Sequence, residues 1–417
     1  MQNKLISEIQ YYSFAGLPVK KSILNIIIYL TFFLFIVIPN ALRIFKLPFL
    51  FLLLVFAISN TKLPKRQLTF FFLLILVTYI FILIGKNKTV DFQTASVQAF
   101  IVYVIFPIIW IVIGNFIFKI YDYKVIVKKY IQIGLWGCLS VYIAYAAFIM
   151  GYGDFVKILV ERPNALITGN VFSITLNVFG SLLVIAAAIG HVPKLYSQRR
   201  FIVLLVVYVL TAAISGRSAF ILAAAIGVFF FVIYDKRLLK NSFFIFLGFA
   251  ILAAILFYFN LELMGSIEHF IEELLSGGGD ERTKQTKMLT EGILDTYFLG
   301  AGHGVGIKYI RNYEFPWRYE NLIFSIIYRT GIIGLLIYAY PFIYSLLSFL
   351  RLKKKRMVNM YDKFFFWGVT VFILVNFTNP YLESFEFQIP YFFTYCYFFN
   401  RSKNLVNENI NTSEIRS

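Results

Sequence analysis

The chain has 417 residues, of which 60% are hydrophobic and 14% charged, with a mean hydropathy of +0.77 and a formal net charge of +18. These values exclude an ordinary soluble domain. They also place the basic excess in the short cytoplasmic loops of a membrane protein, where Lys and Arg accumulate, rather than in a nucleic-acid surface.

In chain order, apolar runs approaching the roughly 20 residues of a bilayer-spanning helix fall at 23–40, 44–59, 68–85, 97–118, 130–151, 170–190, 201–215, 217–234, 242–261, 321–349, 364–379 and 386–400. The expected fold is therefore all-α, a polytopic transmembrane bundle of about twelve spans forming one integral membrane domain over residues 1–417. Residues 1–22 are polar and aromatic, and the first run is too long and lacks a small-residue cleavage site, so it reads as a retained anchor. With the N-terminus inside, the cytoplasmic segments hold 25 of the 39 basic residues, including the run from Arg351 to Arg356. Both termini are then cytoplasmic, with 401–417 as a tail. No internal repeat is visible.

Ten of the 21 acidic residues lie between Glu262 and Glu320, in one long loop on the outer side. Loops of that length in a compact protein are usually functional. Ile267, Phe270, Ile271, Leu274 and Leu275 predict a surface helix over 266–275, ended by Gly277-Gly278-Gly279. Asp280 is placed to cap a second helix with Met288, Leu289, Ile293 and Leu294 on its apolar face. The glycine-rich stretch Gly300–Gly306 reads as a flexible turn close to backbone or ligand. It follows no parallel strand, so it is not a nucleotide loop.

Cys138 and Cys396 fall inside expected spans and read as packing residues. The three histidines, His191, His269 and His303, have no metal-ligand spacing.

The chemistry is expected where the loop enters the tenth span, at Glu320-Asn321, with Arg329 two to three turns deeper. Ionisable groups in or beside hydrocarbon cost roughly 2.5–3.5 kcal/mol on the gentlest insertion scale and mark function by default. Arg162, Arg217 and Arg282 lie on the same outer side. Their planar forks match phosphate oxygens two at a time. Each has a plainer structural role as well. Arg162 can pair with a lipid head group or Glu161, Arg217 can snorkel, and Arg282 can be a solvated helix residue. Glu320 can cap the helix or pair locally, with Arg329 as its ion-pair partner, and His303 can be a simple loop residue.

Asn321, a nine-residue gap, Gly331 and Gly334 resemble the signature of the O-antigen polymerase and ligase superfamily of bacterial inner-membrane glycosyltransferases. Glu320 stands where the ligase branch has histidine, which favours the polymerase branch. Arg217 in Ser215-Gly216-Arg217, and Arg282 followed by Gly300-Ala301-Gly302-His303-Gly304, also resemble that superfamily's outer segments. The similarity covers about residues 160–335, and the N-terminal third shares only hydropathy. It implies a lipid-linked-sugar glycosyltransferase fold with 262–320 as a large periplasmic helical loop.

The resemblance further implies polymerisation of undecaprenyl-pyrophosphate-linked repeat units into O-antigen or a related surface polysaccharide. In that scheme Arg217 and Arg282, assisted by Arg162, hold the pyrophosphate, and Glu320 deprotonates the acceptor hydroxyl. Asn321, His303 and Arg329 position substrate. Partners are the lipid-linked glycan donor and acceptor, membrane lipids and a chain-length regulator, with no nucleic acid. No nucleotide, ATP or metal cofactor enters. An O-antigen ligase, using lipid A-core as acceptor, and a lipid-linked oligosaccharide flippase are the alternatives. A flippase should carry charged or interrupted helices in corresponding positions of two halves.

Overall fold

The computed structural model describes residues 11–38, 43–89, 91–152, 167–168, 171–172, 185, 188–189, 195–214, 223–226, 279–310, 315–376 and 380–414. Over these residues the chain is mostly helical, with two small antiparallel hairpins.

The first hairpin precedes the helices. Strands β1 (Tyr11–Phe14) and β2 (Leu17–Lys20) pair Tyr11 with Lys20 and Phe14 with Leu17. The intervening Ala15 and Gly16 have φ of 48° and 91°, the two positive values that a tight turn matching strand twist demands. Helices α1 (Lys21–Val37) and α2 (Arg43–Asn60) follow as a packed pair. Asn60 pins the hairpin to the end of α2: its side chain accepts from Ser13 N at 3.1 Å and donates to Ser13 O at 2.6 Å.

Beyond these lie α3 (Lys65–Gly85), α4 (Phe92–Ile120), α5 (Tyr123–Ile149), α6 (Gln198–Ile214) and α7 (Gly279–Asp295). The C-terminal part contains α8 (Leu322–Tyr338), α9 (Tyr340–Lys354), α10 (Met360–Val375) and α11 (Gln388–Glu414). Among the described residues, four stretches are long and apolar enough to cross a membrane: Lys65–Gly85, Phe92–Ile120, Tyr123–Ala147 and Leu322–Lys354, the last spanning α8 and α9. Lys21–Val37, Ile44–Asn60 and Val203–Ala212 are shorter apolar helices.

Nine of the expected spans coincide with helices over their described residues. The run at 170–190 differs: it opens on a strand, β4 (Val171–Phe172), paired with β3 (Ile167–Thr168). Its β-branched and aromatic residues suit a pleated pair as well as an apolar helix. Most of that run and of 217–234, whose described residues 223–226 are helical, lies outside the described residues, as do 242–261 and the expected helix at 266–275. Helix α11 also continues through the expected tail to Glu414.

Aromatic packing fills the core. Trp110 of α4 stacks on Phe385, with centroids 4.6 Å apart, and donates its Nε1–H to the Phe385 carbonyl at 2.7 Å. The buried amides Gln67 and Asn115 satisfy each other across α3 and α4, at 2.8 and 3.3 Å, as buried polar groups must. Cys138 and Cys396 are buried free thiols, in agreement with their expected packing role. Within α4, residues Ile101–Ile105 form a π-helical turn. Such turns hold one extra residue and concentrate near functional sites.

Candidate functional site

Helix α8 begins where expected. Asn321 is its N-cap, and its Oδ1 accepts the Phe324 N–H at 3.4 Å, supplying one of the orphan donors of the first turn. This cap accounts for the asparagine's place in the motif. Immediately before it, Glu320 Oε2 receives Arg282 Nε at 2.5 Å. Glu320 therefore pairs with Arg282 of α7, not with Arg329.

Arg282 and Gln285 share one face of α7, and Gln285 Oε1 accepts the Glu320 backbone N–H at 3.0 Å. The α7 face beneath them is apolar: Leu289 and Ile293 bury themselves with Tyr328 of α8. Leu294, expected on that face, is 56% exposed. Helix α7 starts at Gly279, so Asp280 lies inside its first turn instead of ahead of it.

Gly331 explains its own place in the motif. It has φ of 63° and ψ of −171°, which breaks α8 locally. The break frees the carbonyls of Tyr328 and Arg329, and the loop after α7 takes them: Ala301 N donates to Tyr328 O at 2.7 Å and Gly302 N to Arg329 O at 2.9 Å. In return, Ile332 N donates to Phe298 O at 3.1 Å.

The expectation of a flexible turn at 300–306 is corrected here. Residues Ala301–Val305 are buried as a wedge between α3 and α8. Gly302, at φ of 109°, approaches so closely that a Cβ would lie 2.3 Å from Gly85 N. The glycines are needed for contact with backbone.

The wedge places His303 deep inside, 2% exposed. Its backbone N–H donates to Phe81 O at 2.8 Å, and its Nε2 is 3.1 Å from the Tyr338 hydroxyl. Burial, with a contribution from the Arg329 charge, holds the imidazole well below its usual pKa, so it is neutral near pH 7.

Arg329 is also buried. Its Nε donates to Ser325 O at 3.1 Å, Nη2 donates to Ser325 Oγ, and Nη2 lies 2.7 Å from Glu383 Oε1. The same Oε1 accepts the Tyr103 hydroxyl at 2.8 Å. Tyr103 belongs to the π turn and stacks on Tyr338, with centroids 4.6 Å apart. Sequence reasoning missed Glu383, which stands on a short 3-10 turn, Tyr381–Glu383, before α11. A signal existed: Glu383 and Glu386 are the only charged residues between Phe364 and Asn400.

Glu383 also faces a cleft of about 1060 Å³ between α2, α4 and residues 380–387. Its lining is mixed, with Lys46, Arg318 and Gln98 among the polar residues and Leu47, Leu50 and Ile109 among the apolar ones. Lys46 is 3.6 Å from Glu386 and 5.3 Å from the centre of the Phe35 ring.

The described site thus unites Arg282 with Glu320 and, behind them on α8, Arg329 with Glu383, Tyr103 and His303. Arg162 and Arg217 lie outside the described residues. Among the described residues no group of three or more His, Cys, Asp or Glu side chains is arranged to hold a metal ion. Comparison with protein-family models, curated proteins and solved structures yields no match for this chain.

Proposed function

We propose that this chain is a polymerase of polyprenyl-pyrophosphate-linked oligosaccharide repeat units, of the O-antigen polymerase type, in the bacterial cytoplasmic membrane. It crosses the membrane about twelve times, with both termini cytoplasmic and the 262–320 loop periplasmic. The supporting observation is the meeting of Arg282 and Glu320 at the head of α8, 38 residues apart in sequence and 2.5 Å apart in space. A fork-shaped cation and a carboxylate in contact are the two groups that transfer from a lipid pyrophosphate to a hydroxyl requires.

In the proposed reaction, the pyrophosphate of the donor competes with Glu320 for the Arg282 fork, with Arg217 and Arg162 completing the clamp. The carboxylate released from Arg282 takes the proton of the acceptor hydroxyl. The hydroxyl oxygen bonds to the anomeric carbon, the bond from that carbon to the phosphate oxygen breaks, and the pyrophosphate leaves with the electron pair. The arginines offset the charge that develops on it. Asn321 fixes the start of α8 and thus the direction of Glu320, while Arg329 and His303 hold the inner part of the helix.

The test is purified full-length protein in lipid, supplied with lipid-linked repeat units and no nucleotide or added metal, analysed by gel for extended glycans. A ladder is expected. Its absence from correctly folded protein overturns the proposal.

A further inference from the structure

Glu383 differs from the other carboxylates of the site in how its two oxygens are used. Both of its hydrogen bonds, from Arg329 Nη2 and from the Tyr103 hydroxyl, end on Oε1. Among the described residues none donates to Oε2. The side chain is 9% exposed, and the residue forms part of the cleft wall. A carboxylate gripped by one oxygen, with the other left for a visitor, is an oriented hydrogen-bond acceptor. Arg329 and Tyr103 supply the orientation, and Arg329 is itself fixed by two bonds to Ser325.

The rest of the cleft specifies what kind of visitor. Its volume of about 1060 Å³ is at the upper end for small-ligand sites. Its polar lining carries amide and hydroxyl groups from Gln93, Thr94, Gln98 and Ser384, a set suited to several hydroxyls. Phe315 also lines the cleft, with the Arg318 guanidinium 4.3 Å over its ring. Beside these groups, the apolar lining residues Val97 and Leu47 face outward, 54% and 60% exposed. One molecule that satisfies both kinds of lining has a hydroxyl-rich head and a hydrocarbon tail.

From this geometry we infer that the cleft between α2, α4 and residues 380–387 binds the sugar head of a glycolipid, with Glu383 Oε2 accepting a hydrogen bond from one of its hydroxyls. This rests on the polymerase reading and adds to it the seat of the acceptor.

A cysteine at Val97 reports occupancy of the cleft. The native thiols Cys138 and Cys396 are fully buried, so a maleimide applied to the full-length Val97→Cys protein in lipid reports that position. The probe is single lipid-linked repeat units extracted from the native cells deleted for this chain; polyprenyl phosphate without sugar is the comparison. The glycolipid should slow labelling markedly more than the sugar-free lipid, whose tail alone reaches the apolar lining. Glu383→Gln should weaken the protection about tenfold or more, as expected for losing a hydrogen bond to a charged group.

Where Glu383→Gln lowers the amount of folded protein, Glu383→Asp carries the test, because it keeps a charge beside Arg329 while withdrawing the oxygen by one methylene. Undiminished protection in the folded variant overturns the role of Glu383. Equal protection by the sugar-free lipid overturns the sugar site. If the protein builds glycan ladders yet the glycolipid leaves Val97→Cys unprotected, the cleft assignment falls and the polymerase reading stands. Protection without ladders has the opposite meaning.

Discussion

Arg329 and Glu383 meet 2.7 Å apart across 54 residues of sequence, with side chains 4% and 9% exposed. One comes from the middle of α8 and the other from the turn that leads into α11, so the pair ties the head of the candidate site to the C-terminal helix. A buried pair of this kind adds little stability over a well-packed apolar pair, but breaking it leaves a charge stranded.

Accordingly, Glu383→Ala is expected to destabilise the fold by about 3–5 kcal/mol, the usual cost of removing one member of a buried pair. The double variant Arg329→Met, Glu383→Leu should be more stable than either single change. Thermal unfolding of the detergent-solubilised proteins measures this. Simple additivity of the two single effects would show that the pair is not the source of the loss.

The Arg282–Glu320 pair predicts a different pattern. Its side chains are 26% and 16% exposed, more than those of the Arg329–Glu383 pair, so its loss should cost less stability. Glu320→Gln should leave membrane abundance normal and reduce polymerisation by about 10²–10⁴-fold, the range for loss of a general base. Arg282→Lys should also be severe, because an ammonium cannot reproduce the two-point fork. Full glycan ladders from Glu320→Gln would remove Glu320 from the reaction.

At Gly331 the expectation is structural. A Cβ there would stand 2.5 Å from the Phe298 carbonyl oxygen, on a backbone with φ of 63°. Gly331→Ala should therefore separate the wedge from α8 and cost more than the roughly 1–3 kcal/mol of backbone strain alone. Faster proteolysis within 298–304 in lipid-embedded protein is the readout, and an unchanged cleavage rate would count against the interlock.

His303 sets a pH dependence. Its pKa is depressed in the fold by burial and by the Arg329 charge, whereas the unfolded chain titrates at about 6.5. Above that value both states are neutral and the histidine has no effect on stability. As pH falls below about 6.5, the unfolded state takes up the proton first, so stability declines progressively towards the folded-state pKa. The thermal midpoint should drop between about pH 7 and pH 5, and His303→Gln should drop less. Equal declines would locate the dependence elsewhere.

Hydropathy made much of this architecture legible. The run at 68–85 appears as Lys65–Gly85, and α8 begins where the loop was expected to enter the tenth span. What escaped depends on contacts between distant segments. Glu320 and Arg329 lie on one stretch of chain and look like partners, but helix geometry sends the first to α7 and the second to the turn before α11. The glycines at 300–306 signal close approach to backbone or ligand, and the fold shows that backbone is the neighbour and that the turn is buried. The hairpin at Tyr11–Lys20 was hidden by Pro18, a residue usually confined to sheet edges.

The π turn at Ile101–Ile105 gives α4 two angular registers. An α-helix advances about 100° per residue, so one additional residue rotates everything before it relative to everything after. The N-terminal half presents Gln93, Thr94 and Gln98 to the cleft, and the C-terminal half presents Trp110 and Asn115 to the interior. Removing a single residue from the turn would restore a uniform helix and dephase the halves, so that only one could keep its neighbours.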